Sequence, residues 1–337
     1  MNSRLAAIAA SLVACLLILL WYQSGTTETK QPAALIPVRI ADTGTSPPGL
    51  LLQLAVHQGL FEAEGLRPVI ITQFAHGAAN IEAVLRGDAD IATASEVPVM
   101  RAGLQEKSIS VLATIGRGDR HLAVVARKDR GIATLADLSG KTLGVTIGSN
   151  AEYFFDSLLA SKGQKDKTLR KVHTLPRDMA RTLAAGGVDA IVSWFPNWKH
   201  AEEALGDNAV TYFGDGIYTV FFNLISTHEF IGRNPDVVSR LLRVFIRAEK
   251  YANAHPQETK TLLKTVFQLS EVVADEVFAN YALQVWIGQE FLIALEDEAQ
   301  RAITKGLTKQ TEIPNYLNLV HLDSLKKVSP EAVSIIH

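Results

Sequence analysis

From Pro37 to about Asn234, short apolar runs alternate with segments of helical periodicity. "PVRIAD" (Pro37–Asp42) reads as a buried strand. The loop "TGTSPPG" (Thr43–Gly49) leads into "LLLQLAVHQGLF" (Leu50–Phe61), a helix with Ser46 as its candidate N-cap and a stop at Gly59. "LRPVIITQF" (Leu66–Phe74) is a second strand. A helix is predicted over Gly77–Leu85, a strand over Ala89–Ala94, a helix from about Val97 and a strand over Ser108–Gly116. The series then begins again. His121–Asp129 and Lys141–Gly148 are strands, Ser149–Gly163 a helix, Arg170–Leu175 a strand, Arg177–Gly187 a helix and Val188–Trp194 a strand. Tyr218–Ser226 is a long apolar strand. Beyond Asn234 the pattern is amphipathic helix, strongest over Pro235–His255. Strands alternating with helices imply parallel βαβ units and an α/β fold.

A weak repeat lies inside this pattern. "EAVLRGDADIATAS" (Glu82–Ser95) lines up with "RTLAAGGVDAIVSW" (Arg181–Trp194), placing Gly87 on Gly186 and Asp90 on Asp189. One reading is two similar lobes joined by two connecting strands, for which residues 121–127 and 218–226 have the right character. The other is that any helix-to-strand turn looks this way.

The N-terminus departs from the pattern. "LAAIAASLVACLLILLWY" (Leu5–Tyr22) carries no charge, and the polar "QSGTTETKQPAA" (Gln23–Ala34) follows. Residues 1–34 are therefore expected to be an export signal or membrane anchor with a linker. Cys15, the only cysteine, sits in "LVAC", which resembles a lipoprotein box. The apolar "LLILLWY" behind it weighs toward an uncleaved anchor or an ordinary signal. The remaining chain can hold no disulfide or thiolate metal site. The 337 residues are 47% hydrophobic, enough for a packed core, and 33 Lys and Arg stand against 35 Asp and Glu. That balance gives no reason to expect nucleic acid or an anionic membrane surface as partner.

In open parallel sheets, ligands bind beyond the carboxyl ends of the strands. On that rim the sequence places Thr45 and Ser46, Gly77 and Ala78, Ser95 and Glu96, Ser149 and Asn150, and Trp194. Gly77 and Ala78 open a helix without side chains that would shield its N–H groups, which suits an anion. Each residue also has an ordinary reading: Ser and Asn as caps, Trp194 as core, Glu96 as favoured by the helix dipole. His76 is either an acid or base at the rim or a hydrogen-bonding residue. Arg117, Asp119 and Arg120 read as a charged surface loop. Gly77→Asp is expected to abolish binding and leave the fold intact.

Four segments carry a resemblance: "GLFEAEGLRPVI" (Gly59–Ile70), "AVLRGDADIA" (Ala83–Ala92), "LADLSGKTLGVTIGS" (Leu135–Ser149) and "LAAGGVDAIVSWFP" (Leu183–Pro196). In this order the chain resembles the periplasmic substrate-binding proteins of ABC importers, in the nitrate/sulfonate/taurine and thiamine-precursor group. The resemblance implies a two-lobed type II fold with two crossing hinge strands. Lobe one would hold residues 35–122 and 223–337, and lobe two residues 123–222. It implies hinge closure on a small organic anion or zwitterion, such as a sulfonate or taurine-like molecule, and delivery to an ABC permease. The protein would be an extracytoplasmic monomer held at the inner membrane by its N-terminal anchor or a lipid, with no cofactor, no metal and no enzymatic activity. Family contacts carry over to Ser46, Gly77, Ala78, Ser95, Glu96, Ser149, Asn150 and Trp194. Glu96 is at odds with a bare anion, so it either turns away or meets an amine on the ligand. Two alternatives stand beside the carrier: a membrane-tethered sensor, and an enzyme of the thiamine-pyrimidine or menaquinone type. The enzyme reading lacks a cysteine cluster, HExxH, GxSxG and a P-loop.

Overall fold

The computed structural model describes residues 34–44, 49–74, 76–164 and 168–335. The expected signal or anchor, with Cys15, lies outside the described residues, as do Thr45 and Ser46. No helix among the described residues is long and apolar enough to cross a membrane.

From Ile36 onward the chain forms two mixed sheets. The first has six strands in the order β11-β4-β10-β3-β1-β2. These are β1 (Ile36–Ala41), β2 (Leu66–Ile71), β3 (Ile91–Ser95), β4 (Ile109–Gly118), β10 (Val220–Thr227) and β11 (Tyr281–Ala282). The second has five, in the order β7-β6-β8-β5-β9: β5 (Leu122–Arg127), β6 (Thr142–Val145), β7 (Arg170–His173), β8 (Ala190–Trp194) and β9 (Ala209–Phe213).

The sheets share one plan. In each, three parallel strands take the order second, first, third: β2-β1-β3 and β7-β6-β8. An antiparallel strand then joins the third to a fourth: β10 between β3 and β4, and β5 between β8 and β9. Each of these inserted strands arrives from the other sheet. The chain crosses at residues 119–121 and again at 214–219. Nearly every residue of β5 and β10 is buried, as expected of central strands covered on both faces. The expected lobe boundary at residue 222 falls inside β10.

The helices α1 (Leu50–His57), α2 (Gly77–Leu85), α3 (Glu96–Leu104), α4 (Asn150–Ser161), α5 (Pro235–Ala254) and α6 (Gln289–Thr304) position the site and its flanks. A large core joins the first sheet to α1, α3, α5 and α6. Two smaller clusters cover the faces of the second sheet. The helix expected over Leu50–Phe61 is two pieces, because Gly59 adopts φ +63° and separates α1 from a turn over Leu60–Ala63. The helix expected over Arg177–Gly187 is regular only from Met179 to Ala184. The half-buried strand β9 carries no apolar run strong enough to stand out in the sequence.

Candidate functional site

The carboxyl ends of the parallel strands in the two sheets border one cavity of about 150 Å³. From the first sheet come Thr43 after β1, His76–Ala78 at the start of α2, Thr93–Ser95 at the end of β3, and Pro98. From the second come Thr146–Asn150 after β6, Pro176, and Trp194, Phe195 and Asn197 after β8. His121, Val220 and Phe222 enter from the crossing segment and β10. Six of the residues expected from sequence thus meet at one cavity: Gly77, Ala78, Ser95, Ser149, Asn150 and Trp194.

The start of α2 is built by His76 and Gly77. The His76 carbonyl accepts the N–H groups of Ala79 at 2.9 Å and Asn80 at 3.2 Å. His76 Nδ1 also accepts from the Ala79 N–H, at 3.3 Å, so His76 serves as an N-cap. Burial lowers its pKa, in keeping with an unprotonated, accepting Nδ1. The N–H groups of Gly77 and Ala78 have no partner among the described residues. A Cβ at Gly77 would stand 2.9 Å from the Ala94 side chain and 3.0 Å from its Cα. Glycine is required there for the helix to begin against β3.

The start of α4 faces it from the second sheet. Ser149 turns its own hydroxyl back onto the Thr146 carbonyl at 2.6 Å. The Gly148 N–H donates to Glu152 at 2.7 Å. Asn150, 4% exposed, accepts the Trp194 indole N–H on Oδ1 at 2.7 Å. That bond fixes the plane of the indole on the cavity wall.

Among the described residues, no lysine, arginine, aspartate or glutamate lines the cavity. His121 is buried against the Tyr281 hydroxyl at 2.7 Å, and desolvation pushes its pKa down to about 3. It is neutral at physiological pH. Asp42 lies beneath the lining, bound by the Thr93 hydroxyl and, at 2.7 Å, by the Gly44 N–H. Burial raises its pKa. Arg120 pairs with Asp215 at 2.7 Å, Asp119 accepts the Thr219 hydroxyl at 2.6 Å, and Arg117 lies over the Trp286 ring. The charged surface loop expected from sequence is the end of β4, which holds Arg117, and the first crossing segment, which holds Asp119 and Arg120; none of the three lines the cavity. No group of three His, Cys, Asp or Glu among the described residues could hold a metal.

Glu96 is the correction. Ser95 ends β3 on the cavity wall, and the next residue points the opposite way, into the body. Glu96 is 0% exposed and lines no part of the cavity. Its carboxyl accepts the Tyr218 hydroxyl and, at 2.8 Å, the Phe221 N–H. Burial pushes its pKa up to about 7 against the pull of those donors. On the far side of Tyr218, at 3.3 Å, stands Glu298, whose pKa burial raises well above the ordinary carboxylate range.

Sequence reasoning missed Thr43, Thr93, Thr146, His121, Val220 and Phe222. The two threonines after β1 and β6 follow the strand-end rule and could have been found by it. Val220 and Phe222 belong to a strand that reaches the site from the other sheet, which leaves no local signal.

Two like sheets that trade a strand, with one cavity between their carboxyl ends, constitute the periplasmic-binding-protein fold. The alkanesulfonate-binding protein SsuA of Xanthomonas axonopodis pv. citri, solved bound to MOPS, superposes with a TM-score of 0.73 at 20% identity. The match covers 86% of this chain and 99% of that one. The chain belongs to the NMT1/THI5-like family, whose model matches residues 50–259. A Brucella abortus protein provisionally described as a binding protein is 26% identical over 66% of this chain and 69% of its own length. A Bacillus subtilis protein provisionally named for binding aliphatic sulfonates is 25% identical over 77% of this chain and 78% of its own.

Proposed function

We propose that this protein is an extracytoplasmic solute-binding protein that captures a small organic anion of the sulfonate class and delivers it to an ABC permease. One observation carries the reading. Among the described residues, the N–H groups of Gly77 and Ala78 have no partner, and they open a helix at the edge of a cavity that no acidic side chain lines. Neutral N–H donors and a helix dipole suit an anionic head. Ile147, Val220, Phe222 and Trp194 offer apolar surface to the rest of the molecule. With Glu96 turned away, the described lining holds no carboxylate for an ammonium group, which favours an alkane- or arylsulfonate over a taurine-like zwitterion. The relatives named for sulfonate binding support the same class.

In this reading the first sheet and its helices form one lobe, and Leu122–Phe213 the other. They close on ligand about residues 119–121 and 214–219. Gly77, Ala78 and Ser95 would hold the ligand from the first lobe. Ser149, Asn150 and Trp194 would complete the site on closure.

A thermal-shift screen tests the proposal with alkanesulfonates, arylsulfonates, taurine, nitrate, bicarbonate and aminopyrimidines. A ligand at a hundredfold its Kd adds about 2.7 kcal/mol of stability, a plain rise in Tm. The expected result is a shift with a sulfonate, recovered chemically unchanged. No shift with any anion, or a ligand recovered altered, overturns the reading.

A further inference from the structure

Tyr281 of β11 reaches past the end of β4 toward the cavity. It pairs with Gly118, and its ring lies so close over that residue that a Cβ there would collide with Cδ1 and Cε1. With no side chain at Gly118, the hydroxyl meets His121 of the first crossing segment, 2.7 Å from Nδ1. The two rings stand edge to face at 75°, their centres 5.8 Å apart. His121 is fixed from the other sheet as well, since its carbonyl accepts the Phe195 N–H at 2.8 Å.

The Tyr281 contact decides which nitrogen of the imidazole carries the proton. His121 is 4% exposed and has no carboxylate partner among the described residues, so the ring is neutral, with one N–H and one lone pair. A tyrosine hydroxyl keeps its proton at neutral pH. That of Tyr281 has no acceptor besides Nδ1 among the described residues. When it donates to Nδ1, the hydroxyl is satisfied and the imidazole proton sits on Nε2. The opposite arrangement would strand the hydroxyl proton. Nε2 has no partner among the described residues, yet it is not sealed in. It is left for the cavity that His121 borders.

We propose that His121 is a specificity-determining residue of this site, donating its Nε2–H to an oxygen of the bound anion, and that Tyr281 is the positioning residue that keeps the proton on that nitrogen. The proposal rests on reading this cavity as a sulfonate site. An alkanesulfonate carries its acceptors only on its head, so Nε2–H and the Gly77 and Ala78 N–H groups would share those oxygens. The site would then recognise an anion with uncharged donors alone. A ligand amine would meet an N–H at His121 where it needs an acceptor.

The test follows the His121 ring of the full chain by nitrogen-15 NMR at neutral pH, with ethanesulfonate and benzenesulfonate as probes. The ring is assigned through bonds in the native chain, so this arm requires no variant to fold. The expected result is a proton on Nε2 whose resonance moves when a sulfonate binds. A proton on Nδ1, or an Nε2–H resonance that a bound sulfonate leaves unmoved, overturns the proposal. Tyr281→Phe should release the ring to a mixture of tautomers, and a ring still protonated only on Nε2 overturns the part given to Tyr281. In titration calorimetry His121→Phe should weaken sulfonate binding at least about tenfold. His121→Gln, which restores an N–H donor at similar reach, should recover most of that loss. Native affinity in His121→Phe, or a loss that His121→Gln does not recover, overturns the proposal while the cavity reading stands. Sulfonate binding that is absent from the native chain, or that survives Ala78→Asp, overturns the cavity reading and this proposal with it, so the two failures are distinguishable.

Discussion

Asp90 and Asp189 occupy the same place in the two sheets. Asp90 precedes β3 and accepts the Arg39 N–H of β1 at 2.8 Å, and its own N–H donates to the Arg39 carbonyl at 2.8 Å. Asp189 precedes β8 and accepts the Thr142 N–H of β6 at 2.9 Å, with its N–H returned to the Thr142 carbonyl at 2.9 Å. Gly87 and Gly186, three residues before them, both adopt φ +77°. The sequence repeat is therefore a joint that sets the first strand of each sheet against the third.

Removing either carboxylate leaves a strand N–H unpaired. Asp189→Ala should cost about 1–3 kcal/mol. Asp90→Ala should cost more, since Asp90 also receives the Arg39 guanidinium at 2.6 Å. Urea unfolding checks this: the midpoint should fall while the m-value stays constant.

Ala78→Asp separates binding from folding. A carboxylate in the first turn of α2 is favoured by the helix dipole, so Tm should hold or rise slightly. The same charge at the cavity edge should cut affinity for a sulfonate by at least about a hundredfold, since like charges at low dielectric repel by several kcal/mol. Titration calorimetry reads the outcome. Retained affinity would place the anionic head elsewhere. Gly77→Asp, the variant suggested by sequence, is the poorer test, because even Gly77→Ala presses a methyl into Ala94. Gly77→Ala should lower both Tm and affinity.

Stability should depend on pH through Glu96. Its pKa rises from the ordinary 4.5 to about 7 on folding. Between those values the folded chain holds a proton that the unfolded chain has lost. The contribution is complete below about 4.5 and is lost as pH rises through 7, by roughly 3 kcal/mol. The Tm difference between Glu96→Gln and the native chain should widen over that window and then level. A difference that narrows would show that the carboxylate is better solvated when folded.

Asp156 of α4 is held by Arg301 of α6 and by Lys305 just past its end, on the first sheet's side, and by Lys171 at 2.8 Å. This ionic contact ties the flanks of the two sheets together. Asp156→Asn should loosen it, increasing the radius of gyration of the ligand-free protein in solution scattering. An unchanged radius would mean that the crossing segments alone set the separation.

The fold was largely legible because most strands are announced by an apolar run, and β3 and β8 also by a glycine stop, Gly87 and Gly186. The rim of the site followed from the strand-end rule, and Gly77, Ala78, Ser95, Ser149, Asn150 and Trp194 all line the cavity. Orientation at a strand-to-helix switch was not legible. Ser95 and Glu96 are neighbours, and only the Tyr218 and Phe221 donors, more than a hundred residues away in sequence, decide which one turns inward. Strand β9 escaped notice because a half-buried edge strand needs no strong apolar pattern.

The strand exchange has a consequence for synthesis. A ribosome releases β1 through β4 in order, but the strand that sits between β3 and β4 is β10. It emerges only after the whole second sheet. Throughout that interval the nascent first sheet has two inner edges with no strand between them, a standing invitation to mispair. The second sheet has no such delay, because its five strands leave the ribosome consecutively. The sheet begun second is finished first, and a nascent chain stalled before Val220 carries an open seam through the middle of its larger half.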